Sequence, residues 1–244
     1  MLKKWVVLLG IGMGGIHVAN GQQVIHTGWL ASFNSFKLND KWGIHLDVQL
    51  RSSDELEQVQ TLLFRPGLNY HLKKNHVLTV GYAYIPNRYY HTEDNELLNE
   101  QRLWQQYLIL QPARHTSIQH RFRFEERFVP LPNVRNSDLY TDDLLFSTRF
   151  RYFVRSVIPL RKQTAPFSKG LFFAPQNEIF FNTTNRDNVN GKFFDQNRLY
   201  GAIGYRFARS FDAEAGYMWQ LVKRRTALGD LNNHIAQVAI YWRR

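Results

Sequence analysis

Ile118-Gln-His-Arg-Phe-Arg-Phe-Glu-Glu-Arg-Phe128 is the stretch whose reading decides the fold. Taken with period two, one face carries Ile118, His120, Phe122, Phe124 and Phe128, and the other carries Gln119, Arg121, Arg123, Glu125 and Arg127. Successive side chains of a strand point to opposite sides, so an extended segment separates these sets, whereas a helix scatters them around its axis. The polar face is too charged for a protein core, and the aromatic face is too apolar for water. Two arrangements satisfy both faces. A second sheet can cover the aromatics and leave the charges in solvent, or the aromatics can face lipid around a wet, charged lumen.

The same alternation recurs along the chain. In 42–51, Trp42, Ile44, Leu46, Val48 and Leu50 oppose His45, Asp47, Gln49 and Arg51. In 143–156, Leu144, Phe146, Phe150, Tyr152 and Val154 oppose Arg149, Arg151 and Arg155, and in 194–208, Leu199, Ile203, Tyr205 and Phe207 oppose Gln196, Arg198 and Arg206. Eleven segments read as strands: 24–36, 41–51, 59–72, 76–88, 99–111, 115–129, 143–156, 171–183, 194–208, 211–223 and 233–243. Most exceed the ~5–6 residues usual in soluble domains and suit an outer-membrane strand, which needs ~9–11 residues in hydrocarbon. Pro66 and Pro175 fall inside two of them, where a missing N–H predicts weakened pairing or a bulge.

Link lengths alternate as well. Short links at 37–40, 73–75, 112–114 and 208–210, and a longer one at 159–169, interleave with long links at 52–58, 89–98, 130–142, 184–193 and 224–232. Outer-membrane barrels show this asymmetry between periplasmic turns and outside loops. The long links carry Asp54, Glu55, Glu57, Glu93, Asp94, Glu96, Asp138, Asp142 and Asp143, a distribution that serves solubility. These features predict an all-β, antiparallel up-and-down transmembrane β-barrel of ten to twelve strands. Twelve is favoured, because single-chain bacterial barrels are normally even and eleven would start segment 24–36 at the long-link end. The ending Val238-Ala-Ile-Tyr-Trp242 has the apolar, aromatic character of barrel termini, from which Arg243-Arg244 departs.

Residues 1–21 read as a secretory signal peptide, with Lys3 and Lys4, an apolar run over 5–18, and the small-residue site Ala19-Asn20-Gly21. The run is shorter than the ~20 residues a spanning helix needs. Residues 22–244 then form one barrel domain. The chain carries +11, of which the leader holds two charges. Such a basic balance suits anionic lipid or anionic solutes, and export excludes nucleic acid as a partner. With no cysteine, the chain offers neither disulfides nor a lipid-modification site.

Seven phrases span nearly all of the domain: Leu63-Phe-Arg-Pro-Gly-Leu-Asn-Tyr70, Gly81-Tyr-Ala-Tyr84, Glu100-Gln-Arg-Leu-Trp-Gln-Gln106, Arg121-Phe-Arg-Phe-Glu125, Asn177-Glu-Ile-Phe-Phe-Asn182, Phe194-Asp-Gln-Asn-Arg-Leu-Tyr200 and Glu214-Ala-Gly-Tyr-Met218. Together they resemble a bacterial family defined only as a domain of unknown function, whose members are exported β-barrel proteins of the outer membrane. The resemblance implies fold, compartment, and contact with outer-membrane lipids and the secretion and barrel-assembly machinery. It implies no activity.

Projected by the same period, Arg65, Arg102, Arg121, Arg123, Arg149, Arg151 and Arg198 share one interior with Glu100, Glu125, Glu178, Asp195 and Glu214, with Gln106, Gln176, Gln196 and Gln220 among them. This set reads in two ways: as ion-paired ladders that fill the lumen, or as a constricted passage whose arginine excess favours small anionic solutes. An enzyme finds little support. There is no Gly-x-Ser-x-Gly elbow and no His-x-x-x-His or His-Glu-x-x-His metal pair, His115 and Ser117 share a face only by period, and Glu125 and Glu126 point apart. The sequence therefore predicts no catalytic residues, no metal and no cofactor. A barrel hydrolase is the remote alternative, and a soluble periplasmic β-sandwich or lipocalin-like binder is the nearer one.

Overall fold

The computed structural model describes residues 22–89, 97–113, 116–135, 138–141, 143–161 and 166–244. The leader at 1–21, the link acids Glu93, Asp94, Glu96 and Asp142, the side chain of Asp138, and His115 lie outside what is described.

Eleven long strands form a closed barrel: β1 (Gln23–Lys37), β2 (Trp42–Ser52), β3 (Val59–Lys73), β4 (His76–Arg88), β5 (Leu97–Ala113), β6 (Thr116–Pro130), β9 (Leu144–Pro159), β10 (Gly170–Thr184), β11 (Phe194–Ala208), β12 (Phe211–Val222) and β13 (Leu231–Arg243). Between β6 and β9, β7 (Asn133–Arg135) and β8 (Asp138–Tyr140) pair as a separate hairpin in the long-link region. Each of the eleven long strands falls within a few residues of a predicted segment, whereas β7 and β8 lie in a stretch read as a link.

The favoured count of twelve is one too many, and the expected all-antiparallel order fails at one seam. Ten neighbouring pairs are antiparallel, but β1 and β13 run parallel from Gln23 opposite Leu231 to Ser35 opposite Arg243. The reason is geometric. In an up-and-down meander of eleven strands the first and last point the same way, so closure must pair them in parallel. Closure removes both sheet edges, so no strand is left with an unpaired row of backbone groups along one side. Gln23 accordingly lies at the long-link end, and the Lys37 amide donates to the Arg244 carbonyl at the short-link end.

The two faces of the opening stretch resolve without ambiguity. Phe122 and Phe124 are each 36 % exposed on the outside, while Arg123 and Glu125 are 0 % exposed inside. Leu62, Phe64, Leu68, Tyr82, Leu103, Leu199, Ile203, Tyr217 and Val238 continue the outward apolar surface. A soluble sandwich or lipocalin places apolar groups inside and charges outside; this barrel inverts that order, which suits lipid as its surroundings. No helix among the described residues is long and apolar enough to cross a membrane, a statement that does not concern strands.

Both prolines sit in complete strands, with a one-sided lapse in pairing. The ladder of β3 with β4 skips from Phe64–Tyr84 to Gly67–Gly81, and that of β10 with β9 skips from Phe173–Ile158 to Gln176–Arg155. On the other sides Pro66 stays opposite Leu46 and Pro175 opposite Gly201. The missing N–H therefore costs one ladder per strand, not the strand itself.

Some interior positions are aromatic. Trp104, 1 % exposed, packs on the paired glycines Gly67 and Gly81 of β3 and β4. A Cβ at Gly81 would stand 2.5 Å from Trp104 Cζ2 and also clash with the Pro66 carbonyl. Gly81→Val should therefore destabilise the barrel by ~1–3 kcal/mol through overpacking, despite valine's preference for strands. The check is the temperature at which the compact species in unboiled dodecyl sulfate gels converts to the unfolded mobility. An unchanged temperature would show that the indole has no fixed seat.

Candidate functional site

Alternation turns one face of each strand into the lumen, and barrel closure then brings distant strands within reach of one another. Glu125 of β6 is the centre of the charge network. Its carboxylate accepts from Arg149 Nη2 at 2.7 Å and Arg151 Nη1 at 2.5 Å, both from β9, with Arg102 Nη1 at 3.6 Å and Arg65 Nη2 at 3.9 Å. Asp195 takes Arg149 Nη1 at 2.9 Å, and Glu178 takes Arg121 Nη2 and Arg151 Nη2, each at 2.7 Å. Glu100 binds Arg102 and Arg127 at 2.8 and 2.7 Å. Separately, Glu214 accepts from Arg155 at 2.5 Å and from the hydroxyls of Tyr200 and Tyr241.

All twelve residues singled out from the sequence turn inward: Arg65, Arg102, Arg121, Arg123, Arg149, Arg151, Arg198, Glu100, Glu125, Glu178, Asp195 and Glu214. They do not form one cluster. Nine join through Glu125, Glu178, Asp195 and Glu100, whereas Glu214 belongs to a different wall with Arg155. Arg123 is held apart from them, with Nε and Nη2 donating to Gln106 Oε1 at 3.0 and 2.6 Å and its guanidinium 4.6 Å from the Trp104 ring centre. Asp47 faces it only at 4.0 Å and is engaged by Arg65 and His45 at 3.3 and 3.0 Å.

Interior aromatics carry further guanidinium groups. Arg51 and Arg198 lie 4.1 and 5.0 Å from the Trp29 ring centre, Arg151 and Arg198 lie over Phe180, and Arg121 lies over Phe153. Sequence reasoning left out Arg51, Asp47, Arg127 and Arg155, although each stands on a polar face that alternation identifies. Period two does place Trp104 with Arg102 and Gln106, and Phe180 with Gln176 and Glu178, although their aromatic character points outward; Trp29 stands on β1, where no charged residue before Lys37 marks the lumen face.

Among the described residues, two cavities stand out in the lumen. One, of about 490 Å³, reaches from Lys37, Lys74 and Arg244 at the short-link end to Arg51, Arg65 and Arg198. Its walls carry ten Lys and Arg against Asp47 and Glu178. Three further carboxylates stand behind those walls, Glu125 against Arg65 and Arg151, Glu214 against Arg155, and Asp212 against Arg243. Even with these three included, basic side chains outnumber acidic ones two to one. The second cavity, of about 610 Å³, opens at the long-link end, where Arg51 and Arg224 are balanced by Asp54 and Glu57. Both cavities share Trp29 and Arg51 in their walls. Arg51 Nε, Arg65 Nε, Arg121 Nε and Arg123 Nη1 are buried donors with no protein acceptor. Among the described residues no group of three or more His, Asp or Glu is arranged to hold a metal ion.

A closed barrel with an apolar belt outside and ion-paired arginines inside defines the class as a transmembrane-type β-barrel. The chain belongs to the family described as protein of unknown function, DUF2490, whose profile matches residues 26–232. The solved NanC porin structure in its rhombohedral crystal form is similar, with a TM-score of 0.51 and 9 % identity over 88 % of this chain and 97 % of that one. Similarity at that identity shows shared architecture alone. No curated protein matches the chain.

Proposed function

We propose that this protein is an outer-membrane β-barrel forming a narrow passage that prefers anions, and that it is not an enzyme. The observation that carries this reading is the cavity at the short-link end, where ten basic side chains stand against five acidic ones, two in the walls and three behind them. A water-filled concavity with low-dielectric walls focuses such a field and raises the local concentration of counter-ions. Guanidinium keeps its charge at any working pH, so the preference needs no titrating group. The wall around Glu125 has a different role. There the arginines are neutralised in pairs, and the network braces the barrel without contributing much field.

The apolar exterior supports residence in lipid, and the basic leader with its short apolar run supports export across the inner membrane. The barrel likeness to a porin supports a channel over a sealed scaffold. The test begins with fractionation, because release of the protein by osmotic shock would overturn the membrane location. Purified barrel in planar bilayers, under a potassium chloride gradient, should give small conductance steps with reversal potentials toward the chloride side. Conductance without preference, or with potassium preferred, would overturn the anion reading.

A further inference from the structure

We propose that Arg51 and Arg198, laid over the Trp29 indole where the two cavities meet, form a subsite for an oxyanion. The site would take the carboxylate or phosphoryl group of a small solute in passage. This deepens the anion reading and rests on it. Three observations converge on this pair.

The first is the lack of a counter-charge. Among the described residues no carboxylate approaches either guanidinium within 4.0 Å, in a lumen where most arginines have such a partner. Arg51 donates to the amide oxygen of Gln49 at 2.7 Å, and Arg198 to that of Gln196 at 3.2 Å. Glu178 stands directly opposite Arg198 in the strand register, but its carboxylate is engaged by Arg121 and Arg151. Two neutral amides leave both positive charges to be compensated by something that enters the cavity.

The second is orientation. A cation resting on a ring uses the flat face of the guanidinium, and its N–H donors lie in the plane and stay free for hydrogen bonding. Arg51 Nε is a buried donor without a protein acceptor. Stacking on Trp29, itself 6 % exposed, also limits the rotamers open to both side chains.

The third is placement. Trp29 and Arg51 line both cavities, and Arg198 lines the one at the short-link end. A solute crossing between the cavities meets this pair. Chloride is a sphere that gains nothing from a fork of donors, whereas carboxylate and phosphate oxygens match guanidinium bidentately. The subsite should therefore discriminate oxyanions from chloride, which a diffuse basic field does not do.

The probe is inorganic phosphate on the full-length barrel, compared with chloride at matched ionic strength. In the wild type, phosphate should raise the temperature at which unboiled protein loses its compact gel mobility, and should interrupt the chloride current. In Arg51→Gln/Arg198→Gln both effects should weaken at least about tenfold. Should that variant fail to fold, Arg51→Lys/Arg198→Lys keeps the charge without the fork and should bring phosphate and chloride to parity. Phosphate effects that persist unchanged in either folded variant, or that chloride reproduces in the wild type, would overturn the subsite. A wild type that prefers chloride over potassium yet ignores phosphate loses the subsite and keeps the passage. Phosphate stabilisation without any conductance supports the subsite and overturns the passage.

Discussion

Replacing Glu125 by glutamine should be the most damaging single change in the lumen, lowering stability by ~3–5 kcal/mol, the usual cost of removing one partner from a buried ion pair. The carboxylate is 0 % exposed and stands against four guanidinium groups, two of them within 2.7 Å. Glutamine keeps the shape and one acceptor oxygen, so the loss isolates the charge. Arg149 retains Asp195 and Arg151 retains Glu178, which keeps the damage below outright misfolding. Equilibrium unfolding by denaturant in detergent gives the free energy. Adding Arg151→Gln to the Glu125 variant should recover part of the loss, since it removes one of the charges left uncompensated. A single variant within ~0.5 kcal/mol of the wild type would mean that water, and not Glu125, neutralises the arginines.

That prediction depends on partners that the sequence did not show, although it showed the members. Alternation was enough to put Arg123 and Glu125 on one side of β6 and Phe122 and Phe124 on the other, because a two-residue period leaves no other choice for a long strand. Link lengths were enough to order the strands into a meander. Neither signal fixes which lumen charges meet. The Glu125 carboxylate meets Arg149 because β6 and β9 place those two residues directly opposite. It reaches Arg65 of β3 only across the interior, a distance set by barrel closure. Pairing of the same twelve residues with a different register would have produced a different network.

Eleven lies within the expected ten to twelve strands, and the preference for twelve failed for a related reason. A preference for even counts is a statement about other barrels, whereas the eleven alternating segments were already in this sequence. The conflict over where segment 24–36 begins disappears once β1 pairs in parallel with β13. The inward aromatics were harder to read for a different reason, since residue type sends an aromatic to lipid while alternation puts Trp104 on the inward face of Arg102 and Gln106, and β1 has no charged residue before Lys37 to mark the side on which Trp29 lies. What holds Trp104 inside is the flat pair Gly67 and Gly81, and the significance of two glycines on neighbouring strands emerges only when the register sets them opposite.

Reversing Lys37, Lys74 and Arg244 together to glutamate should invert the charge selectivity of the passage while leaving the barrel folded. All three are exposed at the short-link end, yet all three line the cavity that leads to Arg51 and Arg198. Exposed substitutions usually move stability by no more than ~0.5 kcal/mol each. Lys37 gives up only an exposed pair with Asp40, at 3.1 Å. Electrostatically the change is large. With the three carboxylates behind the walls included, ten basic side chains face five acidic ones, and three reversals leave seven facing eight. The mouth thus passes from clearly positive to slightly negative. In dilute salt, where the screening length is ~10–30 Å, a charge at the mouth acts along much of the passage. Reversal potentials measured between about 0.01 and 0.1 M potassium chloride, the range that gives this screening length, should therefore change sign. At about 1 M the screening length falls to ~3 Å, so wild type and variant should converge there. A folded triple variant that keeps the wild-type reversal potential in dilute salt would place the selective step deeper, at the unpaired guanidinium groups over Trp29.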